Sequence, residues 1–243
     1  MVRIDGQMNA ELETRLGSTE IMADQARQRS LGYWLLSDLF LEPPQAAGLK
    51  ALSESLRVMV TAGAAGADIA LLQAMVGIAM RDPDETAVAF TRDLCLGDKT
   101  RDDVLPFESH VREGKLPGDA TELVIAMMAE AGYEEVAPQA ASPDHLGAEL
   151  RFMALLCHAE HEAWLGSADR DAIASLRLQK RFLQSHLAQW GPEYCTALAG
   201  RTNNGYVRAI AQLTAARVRD DVAVLEEICR AIDIESKATE PAF

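Results

Sequence analysis

The sequence predicts an all-α fold, a single-domain helical bundle of roughly eight to ten helices. Three observations carry this prediction. Apolar residues recur at three- and four-residue steps through most of the chain. The breaks between periodic segments fall on Gly and Pro. No segment shows the apolar–polar alternation of a half-buried strand. The chain has 243 residues, 49% hydrophobic and 25% charged, and a globular chain of this size buries about 70% of its unfolded surface. The reading divides it into a mobile N-terminal tail over 1–18, a helical domain over 19–235 and a C-terminal tail over 236–243.

Taken in order, residues 1–18 are polar and aperiodic. A first helix is expected from Thr19 to Phe40, with Leu31, Trp34, Leu35, Asp38 and Leu39 on its repeating face, and Pro43-Pro44 stops it. Helices near 48–61 and 67–80 follow, separated by the Gly63–Gly66 turn. Asp82-Pro83 opens another over 83–96, because proline suits a first turn whose N–H has no partner. Residues 97–117 hold Gly97, Pro106, Gly114 and Pro117 and read as an irregular connection. A helix from Gly118 to Ala131 precedes a loop over 132–141. Ser142 reads as the N-cap of the next helix, with Pro143 in its first turn. Leu146, Leu150, Met153, Cys157 and Trp164 form the apolar stripe of that helix, and Gly166 ends it. A helix over 169–190 turns Ile173, Leu176, Leu183, Leu187 and Trp190 inward, and Gly191-Pro192 breaks it ahead of a short helix. The last helix, over 205–233, keeps its period through Val218, Val222, Leu225, Cys229 and Ile232. Asn204-Gly205 lacks flanking alternation and reads as a break between helices.

Lys+Arg 23 against Asp+Glu 37 leaves a net charge of −14. That balance argues against a nucleic-acid partner, which requires cations to neutralise phosphates, and against anionic membrane surfaces. The longest apolar stretch, Ile69 to Met80, is interrupted by Gln73 and Gly77 and is too short for stable membrane insertion. The charge is unevenly spread. Glu130 to Glu162 holds seven acids and a single base, Arg151, whereas Arg170 to Arg230 holds nine bases and six acids. The acidic segment reads either as an attractor for a cationic, partly apolar ligand or as a solvated face. Cys95, Cys157, Cys195 and Cys229 form no CxxC pair, and Met1 to Glu20 is charged throughout with no apolar core. Reduced thiols and no export signal favour the cytoplasm.

Neither GxGxxG nor GxxxxGK occurs, so no phosphate-cradling loop is encoded. None of His110, His145, His158, His161 and His186 has Glu three residues before it, and His161-Glu162 is followed by Leu165 where a zinc protease has its second His. Cys157-His158-Ala159-Glu160-His161-Glu162 supplies good ligand types and is the candidate metal site; a helical metal-dependent enzyme using Cys157, His158, His161 and Glu162 is the alternative function. The same residues also read as a solvated His158–Glu162 pair with His161 at the edge of the stripe. Two further segments stand out. Leu105-Pro106-Phe107-Glu108-Ser109 either lines a binding surface or plugs a loop, with Phe107 packed down and Glu108 hydrated. In Ser142-Pro143-Asp144-His145, Asp144 falls in the first helical turn, where the helix dipole favours an anion, and Glu149 lies one turn beyond His145.

Pro143-Asp144-His145, followed by Glu149-Leu150-x-Phe152-Met153-x-x-Leu156, closely resembles the signature of the TorD/DmsD/NarJ chaperones. Leu105-Pro106-Phe107-Glu108-Ser109 resembles that family's Pro-aromatic-Glu-Ser segment, although His110-Val111 departs from the aromatic that often follows the Ser. Phe182-Leu183-x-x-His186-Leu187-x-x-Trp190-x-Pro192 is similar to its Phe-Leu-x-x-His-Leu-x-x-Trp stretch. The resemblance implies a cytoplasmic chaperone without catalytic activity or a cofactor of its own. Its implied partners are the precursor or apo catalytic subunit of a molybdopterin-containing oxidoreductase and that subunit's N-terminal, twin-arginine signal peptide. The implied role is to hold the client for cofactor insertion before export or assembly. The implied binding residues are Pro143, Asp144, His145 and Glu149, with Leu105, Pro106, Phe107, Glu108 and Ser109. On this reading Glu108, Asp144 and Glu149 form an accessible anionic cleft for two guanidinium groups, and the apolar part of the leader lies in a groove between helices.

Overall fold

A computed structural model describes residues 3–63, 66–96 and 105–239, with side chains described over 19–63, 66–96 and 105–232. The chain folds as helix after helix: α1 (Arg3–Leu41), α2 (Ala46–Thr61), α3 (Ala67–Arg81), α4 (Pro83–Phe90), α5 (Glu108–Glu113), α6 (Asp119–Glu130), α7 (Leu146–Leu165), α8 (Asp169–Phe182), α9 (Ala188–Arg201) and α10 (Gly205–Thr239). A π turn over Thr91–Leu96 prolongs α4, and a second over Leu183–Leu187 joins α8 to α9. The predicted all-α class is what forms. Gly97, in the segment read as irregular, lies outside the described residues; within the rest of that segment α5 forms.

Helix α7 is the axis of the core. From Leu146 to Ala154 every side chain is buried, and α1 and α8 pack along it while α10 closes against α9 and α3. Helix α1 runs antiparallel to α7. Ser30 donates its hydroxyl to the Ala154 carbonyl (2.9 Å) and Ser37 donates to the Gly147 carbonyl (2.7 Å). The face of α1 that meets α7 is Ala26, Arg29, Ser30, Tyr33, Leu36, Ser37 and Phe40. This corrects the predicted stripe: Leu31 and Trp34 are 56% and 41% exposed. The small Ala and Ser residues allow the close approach that brings the serine hydroxyls to α7 carbonyls, so the bulkier period is left outside. Helix α1 also begins at Arg3, well before Thr19. Extending an existing helix needs no new nucleus, and Met8, Ala10, Glu11, Leu12, Glu13, Arg15 and Leu16 are good helix formers.

One more boundary differs from expectation. Gly191-Pro192 does not break the chain; both residues lie inside α9. Proline cannot donate to the carbonyl four residues back, and its ring pushes that carbonyl aside. The irregularity appears just upstream instead, as the π turn over Leu183–Leu187. Gly147 is the other special position. A Cβ there would stand 2.5 Å from Leu41 Cγ, so only a glycine lets the C-terminal end of α1 cross the start of α7.

A buried polar network ties the core helices together. Arg29 on α1 pairs with Glu160 on α7, and its Nη1 lies 3.6 Å from Asp221 on α10. Tyr33 donates to Asp221 (2.9 Å), Gln179 on α8 donates to Glu160 (2.9 Å), and Trp164 donates to Glu160 (3.2 Å). Breaking one partner of such a group leaves an uncompensated buried charge, at a cost of about 3–5 kcal/mol. Arg29→Met is therefore expected to lower stability to urea by about 3 kcal/mol, and the double substitution Arg29→Met/Glu160→Met to recover part of that loss. Equal stability of Arg29→Met and the parent protein would show that the network contributes nothing.

Candidate functional site

The two segments singled out in the sequence meet as a short antiparallel bridge. Glu108 N–H donates to the Asp144 carbonyl (2.9 Å), and Leu146 N–H donates to the Pro106 carbonyl (2.8 Å). Phe107 and His145 face each other across it, with rings edge-to-face at 5.0 Å. On one side the chain turns into α5 at Glu108; on the other it turns into α7 at Leu146. The third segment packs onto the same knot from the π turn and α9. His186 Nδ1 lies 2.8 Å from Glu108 Oε2, and Phe182 stacks on the His186 ring at 5.3 Å. Trp190 Nε1 donates to both Glu149 oxygens (3.3 and 3.2 Å). His186, Trp190 and Arg112 are not among the expected binding residues. The Phe182–Pro192 motif was the available signal for the first two, and the i, i+4 spacing from Glu108 for the third.

The accessible anionic cleft is not what these residues form. Glu108, Asp144 and Glu149 are fully buried, and His145 nearly so. Asp144 Oδ2 accepts the Ser109 N–H (3.0 Å), and its Oδ1 accepts the Ser142 hydroxyl. Ser109 lies in the first turn of α5. Asp144 thus sits at the start of α5 and not, as expected, in the first turn of α7; Ser142 binds Asp144 instead of capping α7. The cap is His145, whose Nδ1 accepts the Gly147 N–H at 3.1 Å. The loop-plug reading of the first segment holds in part: Phe107 is packed down, but Glu108 is buried and paired, not hydrated. With Asp144, Glu149 and Glu160 all inside, the acidic segment presents less charge at the surface than its composition suggests.

Burial shapes the titration of each group. For Asp144 it acts upward, but hydrogen bonds from Ser109 and Ser142 prevail and hold the carboxyl below its ordinary range. For His145 burial prevails over the attraction of Asp144, so the imidazole stays neutral down to about 4. Glu149 is pushed well above the ordinary range, by burial first and by the Glu108 charge second, and it hydrogen-bonds Glu108. Glu108 in turn pairs with Arg112, whose side chain is 40% exposed and also donates to the Ser185 carbonyl (3.3 Å).

An exposed apolar pair adjoins the knot. Ser37, which holds the Gly147 carbonyl, accepts from Arg151 Nε (3.1 Å). The Arg151 guanidinium pairs with Asp38 and lies 4.0 Å over the Trp34 ring. Leu31 is one turn back along the same face of α1. The candidate metal cluster, by contrast, diverges. Cys157 points into the core towards Gln179 (3.3 Å), His158 is exposed, and His161 Nδ1 is tied to the Ala23 carbonyl (2.9 Å). Among the described residues no group of three or more His, Cys, Asp or Glu side chains could hold a metal ion, which sets aside the metal-dependent enzyme built on Cys157, His158, His161 and Glu162. Among the described residues, too, no helix is long and apolar enough to cross a membrane.

His145 gives the knot an acid limit. The imidazole binds a proton near 6.5 in the unfolded chain but only near 4 in the fold. Its contribution is complete above 6.5 and is lost as pH falls through 4, a change of about 3 kcal/mol. Asp144 acts in the same direction, whereas Glu149, with its raised pKa, favours the fold most at low pH. His145→Asn keeps an acceptor for the Gly147 N–H and removes the titration. Urea midpoints are expected to fall less between pH 7 and pH 4 in this variant than in the parent; equal falls would show that His145 is not the source.

A profile of the family described as nitrate reductase delta subunit matches residues 61–196, more than half of the chain. The matched span contains all three segments that meet in the knot. A selenate reductase assembly chaperone protein from Thauera selenatis is 42% identical over 66 residues, which cover 27% of this chain and 33% of that protein's own length. The chain belongs to the nitrate reductase delta subunit family, that of the NarJ- and TorD-type chaperones.

Proposed function

We propose that this protein is an assembly chaperone for a molybdoenzyme. It binds the precursor or apo catalytic subunit in the cytoplasm, engages a twin-arginine signal peptide at the subunit's N-terminus, and holds the client for molybdopterin insertion before export or assembly. The observation that carries this reading is the family match across residues 61–196. The name of the Thauera selenatis relative, a selenate reductase assembly chaperone, supports it. No catalytic step is part of the role.

The client-binding region is proposed at the knot formed by Leu105, Pro106, Phe107, Glu108 and Ser109 with Pro143, Asp144, His145 and Glu149. Asp144 and Glu149 act from below, holding the two segments in register, because both are sealed from solvent. The leader's apolar stretch lies across Leu31 and Trp34 on α1, next to the knot and beside the half-exposed Asp38 carboxylate. Covering about 400 Å² of apolar surface supplies roughly 10 kcal/mol gross. Ordering the peptide removes several kcal/mol of that, which leaves a reversible affinity around micromolar or somewhat tighter. Reversibility suits a chaperone that releases its client.

Calorimetric titration of a twin-arginine leader peptide tests the reading. Binding is expected with the parent protein, and Trp34→Ala is expected to weaken it about tenfold, as for an aromatic anchor at an interface. Equal binding by both forms moves the apolar contact elsewhere. A protein that binds no leader and co-purifies with no molybdoenzyme subunit is not this chaperone.

A further inference from the structure

Three carboxyl groups lie at the knot, and they differ in what reaches them. Asp144 is closed off by Ser109 and Ser142, and Glu149 by Trp190 and Glu108. Glu108 is different: one of its oxygens faces the buried His186, and the other meets the Arg112 guanidinium, which is itself 40% exposed. The Arg112 Nη1 also donates to the Ser185 carbonyl on the π turn (3.3 Å). The guanidinium therefore rests in a two-sided seat, with a carboxylate from α5 on one wall and a carbonyl from the π turn on the other. The walls are fixed by the fold. Glu108 is pinned through its backbone to Asp144 and through its carboxylate to His186. The occupant is a long side chain at the surface, and guanidinium is weakly hydrated enough to exchange between such seats.

A buried carboxylate stripped of its cation is strongly unfavourable. Arg112 leaves the seat readily only when another cation of the same geometry enters. We propose that Arg112 is a placeholder, whose guanidinium fills an arginine seat walled by the Glu108 carboxylate and the Ser185 carbonyl, and that an arginine of the client's leader takes the seat by displacing it. The identity of the incoming arginine rests on the proposed chaperone function; the seat does not. The exchange replaces one ion pair with an equivalent one, so it selects for arginine and adds little net affinity. It also keeps Glu108 paired whenever no client is present.

Arg112→Ala and Arg112→Gln in the full chain test this. Removing the internal competitor is expected to tighten binding of the twin-arginine leader peptide about tenfold, since affinity scales with the fraction of protein whose seat is open. Millimolar ethylguanidinium is expected to raise the unfolding temperature of Arg112→Ala, but not of the parent protein, with ethylammonium at equal concentration as the control. Arg112→Gln, which retains a neutral donor for Glu108, supplies the same peptide comparison should the alanine variant not fold. Folded variants that bind the peptide no tighter than the parent and ignore ethylguanidinium overturn the placeholder. Stabilisation by ethylguanidinium without leader binding by any form supports the seat and sinks the chaperone reading instead.

Discussion

Two backbone hydrogen bonds, Glu108 to Asp144 and Leu146 to Pro106, hold the knot in register. They join the segment from Pro106 to Glu108 to that from Asp144 to Leu146 and set the starting points of α5 and α7. From that bridge follow the cap at His145, the anchoring of Asp144 at the first turn of α5, and the position of Glu108 against His186. Buried polar groups are tolerated only when partnered, and here each carboxyl finds its partners on a different element. The knot is thus a polar clasp within the bundle, shared among α5, α7, α9 and the π turn between α8 and α9.

Helix α7 carries two such clasps. Its first turn serves the knot, and its last turns serve the network of Arg29, Glu160, Gln179 and Asp221. Between them, from Leu150 to Cys157, the apolar residues are buried except for the half-buried Leu155, and Arg151 reaches out to Asp38 and Trp34. Apolar packing alone permits helices to slide along one another, because it is non-directional. Clasps at both ends of α7 fix its register against α1, and the Gly147 notch under Leu41 fixes how closely they cross.

The helical class was readable from periodicity, and the three motifs that converge in the knot were readable as motifs. What the sequence could not show was depth. A carboxylate in an acidic segment reads as solvated unless its partners are known, and those of Glu108, Asp144 and Glu149 come from elements up to 78 residues away. The face of α1 was misread for a related reason. Leu31 and Trp34 make the louder apolar pattern, yet Ser30 and Ser37 face the core because their hydroxyls meet α7 carbonyls. A serine before a proline satisfies local capping rules and points to a start of α7 at Ser142; instead a turn closes from the His145 N–H to the Ser142 carbonyl (3.1 Å), and with the bridge to Pro106 it delays the helix until Leu146. Local rules describe what a segment prefers, and tertiary partners decided these cases.

The distribution of the three tryptophans has an optical consequence. Trp164 and Trp190 are enclosed, each with its indole N–H on a buried glutamate, whereas Trp34 lies open to solvent beneath a guanidinium. Collisional quenchers in water therefore reach one indole in preference to the other two. The wavelength and quenching of intrinsic emission divide into an interior component that reports on the integrity of the bundle and a surface component beside the knot. The molecule carries, without a label, a probe for whatever settles on that face of α1.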